Sequence, residues 1–175
     1  MSKVVFLDVD GVLNSHRPEI LTKEKSPLGF IGVQQDYIDL LKQLLDKTGA
    51  YVVLTSDWKD CFEEDNCNPE TADEDGKYLV QRLGESGITI VERTNDKSKG
   101  DDWRSGRGNG IRRYLEGHSE VTNYVILDDV AFSGFNNELL LHFVHCEDPL
   151  NEDYVSKAIF ILEHTEQELK DIVSD

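Results

Sequence analysis

The chain has 175 residues, of which 38% are hydrophobic and 30% charged, and its formal net charge at pH 7 is -17. This composition predicts one folded domain spanning residues 1–175 and argues against a disordered chain. The strong negative charge opposes non-specific binding of nucleic acid or of anionic membranes by the bulk surface.

The three cysteines, Cys61, Cys67 and Cys146, are too few and too irregularly spaced for a disulfide framework, which favours a reducing compartment. Zinc binding is an alternative because His142 and His145 precede Cys146, but no paired C-x-x-C spacing accompanies them. The sequence shows neither a signal peptide nor a stretch of the roughly 20 apolar residues that a membrane span needs. We therefore expect a cytoplasmic protein that has no membrane partner.

Short apolar runs at four places predict strands buried on both faces of a parallel sheet, and a weaker fifth run follows them. These runs are Val4–Leu7, Tyr51–Leu54, Ile88–Val91, Tyr124–Leu127 and Leu141–Cys146. Apolar residues at helical spacing lie between and after the runs, within Tyr37–Leu45, Tyr78–Leu83, Ile111–Leu115, Val155–Leu162 and Leu169–Ile172. Strands that alternate with helices predict an α/β fold with a doubly wound parallel sheet of about five strands.

Capping signals mark several of the predicted helix ends, at Gly49, Asn151 and the pair Thr165 with Glu168. Two stretches, residues 16–32 and 59–77, lack clear periodicity and are long for plain connections, which is typical of lids or binding elements. The second of them is acidic from Asp60 to Gly76 and carries no Lys or Arg in that range. We expect this acidic stretch to be a solvated, mobile insert.

Acidic and hydroxyl side chains follow three of the predicted strands. The first strand is followed by Asp8-Val9-Asp10-Gly11-Val12-Leu13-Asn14, the second by Thr55-Ser56-Asp57 and the fourth by Asp128-Asp129. Open α/β sheets bind ligands beyond the carboxyl ends of their strands, so these side chains are expected to face one crevice. A single aspartate there would fit a turn or helix cap, but clustered carboxylates need a cation, and all-oxygen ligands suit Mg²⁺ better than zinc.

Asp8 and Asp10 are suited to successive steps of phosphoryl transfer. Alternate residues leaving a strand can place one carboxylate for attack on phosphorus and the other beside the leaving oxygen. Together they would divide the reaction into the formation and the hydrolysis of an acyl phosphate.

The order of these motifs resembles the haloacid dehalogenase (HAD) superfamily of phosphohydrolases over nearly the whole chain. Asp8–Asn14 is similar to its first motif, Val52–Ser56 to its second and Tyr124–Asp129 to its fourth. A narrower resemblance is to the small HAD domains of RNA-repair (Swiss Army Knife) proteins. It rests on Asn14, on Thr55-Ser56-Asp57-Trp58, on Arg107 ahead of Ile111 and Leu115, and on Asp148-Pro149. The resemblance implies a HAD-like (Rossmannoid) fold with a small or absent cap.

The resemblance also implies a Mg²⁺-dependent phosphatase with Asp8 as both nucleophile and metal ligand. Asp10 would protonate the leaving oxygen and then deprotonate the hydrolytic water, while its main-chain carbonyl touches the metal. At least one of Asp128 and Asp129 would complete the metal shell, with Asp129 slightly favoured. Thr55 would hold a phosphate oxygen through its hydroxyl.

Further phosphate contacts are predicted from Gly11, Asn14 and the main-chain amide of Ser56. A cation is needed to neutralise the transferred phosphoryl group, and Arg107 is favoured because it lies just ahead of a helix that feeds the fourth strand. Gly108 would let the backbone approach a ligand closely. Arg107 in a solvated basic turn is the alternative interpretation, and the residues that compete for its role are Lys99, Arg104 and Arg112.

The sequence leaves the substrate class open. The RNA-repair resemblance and the basic stretch 97–113 favour a phosphorylated RNA or DNA end, whereas the overall charge favours a nucleotide or a small metabolite. Trp58 and Trp103 are interpreted either as base-stacking residues or as partly buried anchors. The alternatives of another class are a non-catalytic phosphate-binding domain and a receiver-like signalling module, which is disfavoured because its phosphorylated aspartate would occupy the place of Thr55.

Overall fold

The computed structural model describes residues 2–95, 106–132 and 134–174. The strands are β1 (Ser2–Leu7), β2 (Tyr51–Leu54), β3 (Ile90–Arg93), β4 (Val121–Asp128) and β5 (Phe143–His145). The helices are α1 (Gln35–Thr48), α2 (Glu74–Glu85), α3 (Gly106–Gly117), α4 (Asn137–Leu141), α5 (Glu152–Glu163) and α6 (Glu166–Ser174). Two short 3₁₀ helices span Pro18–Ile20 and Asp57–Cys61.

The strands form one sheet in the order β3-β2-β1-β4-β5, and every pairing is parallel. The chain moves outward from β1 to β2 and β3, and then returns to place β4 on the other side of β1. This reversal makes the carboxyl end of β1 a topological switch point, the usual ligand position in such sheets. The predicted doubly wound sheet of five strands is therefore confirmed.

The continuous apolar run of β1 is explained by burial on both faces of the sheet. Val5 and Leu7 pack into a core with the buried residues of α1, α2 and α5, whereas Val4 and Phe6 pack into a second core with those of α3 and α4. All four side chains are fully buried. A strand in this position needs apolar residues without alternation, which is the pattern in the sequence.

The predicted capping signals are used in the structure. Gly49 ends α1 in the left-handed conformation, with φ 68°. The side chain of Asn151 accepts a hydrogen bond from the amide of Tyr154 at 3.0 Å. Thr165 and Glu168 form the reciprocal capping box, since each amide donates to the other's side chain, at 2.7 and 3.3 Å.

Both long stretches without periodicity are folded against the domain. In the 16–32 loop, Lys25 and Ile31 form an antiparallel bridge, and the buried carboxylate of Asp75 in α2 accepts from the amide of Leu28 at 3.0 Å. The prediction that the acidic stretch is simply solvated is wrong in part. Phe62, Cys67 and Ala72 lie buried in the core there, because these apolar side chains pack against α2 and its neighbours.

None of the helices within the described ranges combines the length and the apolar character that crossing a bilayer requires.

Candidate active site

The sheet register brings the carboxyl ends of three strands together. The ladder continues one residue past β1 and β2, since the amide of Asp8 donates to Leu127 and the amide of Thr55 donates to Leu7, both at 2.9 Å. Asp128 ends β4 and its carbonyl accepts from the amide of Cys146 at 2.9 Å. Asp8, Thr55 and Asp128 are 4%, 0% and 0% exposed, so their side chains are fixed by the sheet and shielded from solvent.

Asp8, Asp128 and Asp129 form a carboxylate cluster in which one oxygen from each lies within 4.8 Å of the others. Burial and the neighbouring charge of Asp128 raise the pKa of Asp8 to about 7, although Arg107 and the Ser56 hydroxyl act in the opposite direction. The pKa values of Asp128 and Asp129 are also raised, chiefly by burial. Such a cluster of hard oxygen ligands, destabilised by mutual repulsion, fits Mg²⁺.

Arg107 is buried beside this cluster at the start of α3. Its Nη1 lies 2.6 Å from Asp128 Oδ2 and 3.1 Å from Asp8 Oδ1. Its Nη2 lies 3.3 Å from the exposed carboxylate of Asp57, and its guanidinium carbon is 4.3 Å from the centre of the Phe132 ring. Burial alone would lower the pKa of Arg107, but Asp8 and Asp128 outweigh it and raise that pKa, so the guanidinium stays charged.

Of the basic residues that compete with Arg107 for this role, Arg112 has other partners. Arg112 donates to the Gly134 carbonyl at 2.9 Å and also to Asn109. Lys97, Lys99 and Arg104 lie outside the described residues, as does Trp103. Among the described residues, Arg107 is thus the guanidinium that contacts Asp8 and Asp128, and its phosphate-binding role stays a prediction.

Asp10 points to a different set of partners. Its Oδ1 accepts from the Asn14 side-chain amide at 2.8 Å, and its Oδ2 accepts from Trp58 Nε1 at 3.0 Å. The carboxylate of Asp10 lies outside the carboxylate cluster, so any metal contact of this residue rests on its predicted main-chain carbonyl. Trp58 is only 6% exposed, which makes it the partly buried anchor of the two interpretations.

Asn14 and Gly11 form a tight turn beneath Asp10. Asn14 Oδ1 accepts from the Gly11 amide at 2.9 Å, so both polar ends of this buried side chain have partners within the turn. Gly11 has φ 79°, and a Cβ added there would lie 2.6 Å from Cγ of Asp129. Glycine is therefore needed for the backbone and for the approach of Asp129. The phosphate-binding roles of Gly11 and Asn14 stay predictions.

The close approach that Gly108 permits is to protein. A Cβ added at Gly108 would lie 2.6 Å from the carbonyl carbon of Gly134, so α3 packs directly on the segment after β4. Glycine at position 108 is thus explained by packing next to Arg107. The approach of its backbone to a ligand stays a prediction.

Thr55 contributes a buried hydroxyl that has no hydrogen-bond partner among the described residues. The next residue, Ser56, accepts a bond from the Trp58 amide at 3.4 Å and caps the 3₁₀ helix Asp57–Cys61. A buried polar group without a partner is costly unless a ligand or water satisfies it. The Thr55 hydroxyl is therefore suited to bind an oxygen of a substrate.

Beside Asp10 lies a cleft of about 450 Å³, which is lined in part by Phe30, Ile31, Asp57 and Trp58. Phe30 could not be singled out from the sequence because its loop shows no periodicity from which a role could be assigned. Neither could Lys59, a buried cation whose Nζ donates to the Ser56 carbonyl at 3.4 Å and lies 3.9 Å from Asp57 Oδ1. The alternation of charge in Asp57-Trp58-Lys59-Asp60 gives no signal that the lysine is buried.

The zinc alternative is not supported by the geometry. Within the ranges that the structure describes, the carboxylate cluster is the group that gathers metal-ligand atoms. His142 instead contacts the Tyr124 carbonyl at 2.9 Å, and His145 contacts that of Asp129 at 2.9 Å. Burial raises the pKa of the Cys146 thiol to about 12, which disfavours the thiolate that zinc requires.

A match to a known protein family covers most of the chain. Residues 4–153 match the family described as the HAD domain in Swiss Army Knife RNA repair proteins. The chain belongs to this family. The matched range of the HAD domain begins in β1, ends in α5 and includes all of the predicted site residues, whereas α6 lies beyond it. None of the curated proteins matches the sequence.

Proposed function

We propose that this HAD domain is a Mg²⁺-dependent phosphomonoester hydrolase that works through a phosphoaspartate on Asp8. Membership in the HAD family supports a phosphatase, and the observation that carries the finer proposal is the arrangement around Asp8. A buried carboxylate, a buried guanidinium and a hydroxyl without a described partner meet at the switch point of the sheet. They supply a nucleophile, a positive charge and a donor for a phosphoryl group.

Asp8, Asp128 and Asp129 would hold the metal through carboxylate oxygens, and the carbonyl of Asp10 is the predicted fourth protein contact. The bound cation would screen the negative charge shared by these carboxylates and the phosphoryl group. Arg107 is one positive charge facing three carboxylates, so the cluster needs a further cation before a phosphate dianion can enter.

In the first step, a carboxylate oxygen of Asp8 attacks phosphorus and the bond from phosphorus to the ester oxygen breaks. The leaving oxygen takes its proton from the carboxyl group of Asp10, so the alcohol departs neutral. Asn14 and Trp58 hold the two oxygens of Asp10 from the protein side and orient them for this transfer. Arg107 and the Thr55 hydroxyl bind the non-bridging oxygens.

In the second step, a water molecule attacks the phosphorus of the aspartyl phosphate. Asp10, now ionised, takes the proton from this water, and the bond from phosphorus to the Asp8 oxygen breaks. The products are inorganic phosphate, the free Asp8 carboxylate and the protonated Asp10. The enzyme thus returns to its starting state without any change in net protons.

For the substrate, we propose a phosphorylated end of RNA or DNA, with a nucleotide or small metabolite as the alternative. The description of the family as a domain of RNA repair proteins supports the first choice. The alternative is supported by the net charge of -17, which repels a long polyanion. Asp8 and Asp10 both being present argues against a domain that only binds phosphate.

The test is a phosphate-release screen on 3′- and 5′-phosphorylated oligonucleotides, nucleotides and sugar phosphates, with Mg²⁺ or with a chelator. Activity is expected only with Mg²⁺, and Asp8→Asn is expected to lower it by at least about 10⁴-fold. The matched control is Asp46→Asn, which alters an exposed aspartate near the end of α1 that pairs with Lys42. Acid quenching should trap a phosphorylated protein with the modification on Asp8. Full turnover by Asp8→Asn would refute the covalent mechanism.

A further inference from the structure

The cleft beside Asp10 and Phe30 is named the leaving-group cleft from here on. It must receive whatever the leaving oxygen is attached to, because Asp10 forms part of its lining. This step rests on the proposed function, in which Asp10 delivers the proton to that oxygen. Trp58 lies between the two regions, since its indole nitrogen binds Asp10 while it also lines the cleft. The shape and chemistry of the cleft therefore select the alcohol part of the substrate.

One wall of the cleft is aromatic and open to solvent. Phe30 is 65% exposed, although large hydrophobic side chains usually find a place in the core. It belongs to the 16–32 loop, which also exposes Ile20, Leu21 and Leu28. Together with Phe30, these make four of the ten large hydrophobic side chains that are exposed in the described part of the chain. A flat ring presented beside a reaction centre is suited to stacking on a flat ligand group.

The cleft also has polar side chains in its lining. Asp57, Lys25 and His16 contribute charged or hydrogen-bonding side chains next to the apolar surface of Phe30 and Ile31. The volume of about 450 Å³ lies within the range of ~300–1,000 Å³ that small-molecule sites occupy. A ligand with a planar ring and a hydroxylated part of this size matches both kinds of surface.

We propose that the leaving-group cleft binds the nucleoside of a single terminal nucleotide. The base of this nucleotide stacks on Phe30, and the phosphate of the same nucleotide is directed to Asp8. Base-to-aromatic stacking tolerates any base, so one aromatic side chain would accept different terminal nucleotides. The acidic surface does not favour a long polynucleotide track, which limits recognition to the terminal nucleoside.

The test compares matched substrates that differ only in the base. Phosphate release is measured from adenosine 5′-monophosphate against methyl β-ribofuranoside 5-phosphate and from adenosine 3′-monophosphate against methyl β-ribofuranoside 3-phosphate, since the methyl glycoside keeps the five-membered sugar ring. The alcohol that leaves is of the same kind within each pair, so any difference reports on the base. For the position that is hydrolysed, the nucleotide is expected to have a kcat/KM roughly 10-fold or more above that of the sugar phosphate.

The variants separate stacking from general apolar contact. Phe30→Ala should lower kcat/KM for the nucleotide by roughly 10-fold and leave the sugar phosphate within about twofold. Phe30→Tyr should retain the preference for the nucleotide over the sugar phosphate. Phe30→Leu should lose most of this preference, because leucine is apolar without being flat. The matched control is Phe160→Ala on α5, where another exposed phenylalanine lines a separate groove beside β5, and it should change neither substrate.

A second readout is binding without turnover. Equilibrium dialysis of radiolabelled adenosine should show binding to the Asp8→Asn variant. This binding should be weaker in the double variant that also carries Phe30→Ala. Equal hydrolysis of nucleotide and sugar phosphate by the wild-type protein would overturn the cleft proposal while the phosphatase proposal stands. Failure to release phosphate from any substrate would overturn the proposed function, and dialysis would still report on the cleft. An equal loss of both activities in Phe30→Ala would also overturn the stacking role.

Discussion

The carboxylate cluster and the 16–32 loop are built in opposite ways. Asp8 and Asp128 are 4% and 0% exposed and extend directly from paired strands, whereas Phe30 is 65% exposed on a loop with one short bridge. Groups that must act on phosphorus are held by the sheet ladder. Groups that would contact the variable part of a substrate lie on a segment that the sheet does not constrain.

This difference separates two kinds of mutational effect. Changes in the carboxylate cluster should alter every substrate alike, because each substrate presents the same phosphoryl group. Changes in the loop should alter substrates according to the group that enters the cleft.

Among changes that leave the nucleophile in place, the largest effect is expected for Arg107→Gln, which removes the one described guanidinium that contacts both Asp8 and Asp128. We expect kcat/KM to fall by about 10³-fold for all substrates, because the phosphoryl charge loses its fixed counter-charge. Arg107→Lys should recover part of the activity, since it keeps the charge and loses the forked geometry. Steady-state kinetics on two unrelated substrates is the measurement. A loss confined to one substrate would place Arg107 in substrate selection instead.

The next largest effect is expected for Thr55→Val, which should weaken phosphate binding without lowering thermal stability. The Thr55 hydroxyl is buried without a partner among the described residues, so replacing it by a methyl group should leave Tm unchanged or raise it by a few degrees. The inhibition constant of inorganic phosphate should rise by roughly 10-fold as a hydrogen bond to the ligand is lost.

Thr48→Val is the matched control for Thr55→Val, because the buried Thr48 hydroxyl donates to the Leu44 carbonyl at 2.8 Å. It should lower Tm and leave phosphate inhibition unchanged. If Thr55→Val also lowered Tm and left phosphate inhibition as it is, the hydroxyl would serve the fold rather than the ligand.

The same division explains what the sequence could predict. The run Tyr51–Leu54 is observed as β2 with the predicted bounds, and Asp8 meets Asp128 and Asp129 as expected, because strand ends in a parallel sheet share one edge. These features depend on local apolar runs and on topology. The sequence carries both kinds of information directly.

Features that depend on tertiary contacts were not predictable in this way. The third strand is observed at Ile90–Arg93, two residues later than predicted, since Ile88 packs into the core and Arg93 is held by Asp65 and by the Lys59 carbonyl. Leu141 ends the five-residue helix α4 instead of starting β5. The exposure of Phe30 and the burial of Lys59 likewise follow from how segments pack, which apolar periodicity does not encode.

A moderate effect is expected from Mg²⁺ on thermal stability, and it should depend on pH. The pKa of Asp8 is raised to about 7 from an ordinary value of 3.8, so in this range the folded metal-free protein binds more protons than the unfolded chain. The contribution of Asp8 to stability therefore falls as pH rises from about 4 to about 7 and is constant above. Mg²⁺ requires the ionised carboxylates and relieves their repulsion.

At a Mg²⁺ concentration of about 100 times the dissociation constant at pH 8, Mg²⁺ should raise Tm by roughly 5–10 °C at pH 8. The same concentration should raise Tm by much less at pH 5, because protonation of Asp8 weakens binding. Thermal melts with Mg²⁺ or a chelator measure this difference. Asp8→Asn should reduce both the pH dependence and the response to Mg²⁺. An equal rise in Tm at the two pH values would contradict binding at the carboxylate cluster.

The smallest effect is expected where the loop is anchored, in Asp75→Ala. The buried Asp75 carboxylate holds the Leu28 amide at 3.0 Å and lines the leaving-group cleft, but it does not belong to the carboxylate cluster. Its loss should raise KM for a nucleotide by about two- to threefold, equivalent to under about 1 kcal/mol. The sugar phosphate should be unaffected, because it does not need an ordered Phe30.

Asp75→Asn keeps an acceptor oxygen and should behave as wild type, as should Glu74→Ala on the exposed side of the same turn. A parallel rise in KM for both substrates would show that the loop supports the reaction centre as well as the cleft, and the two regions would then act as one.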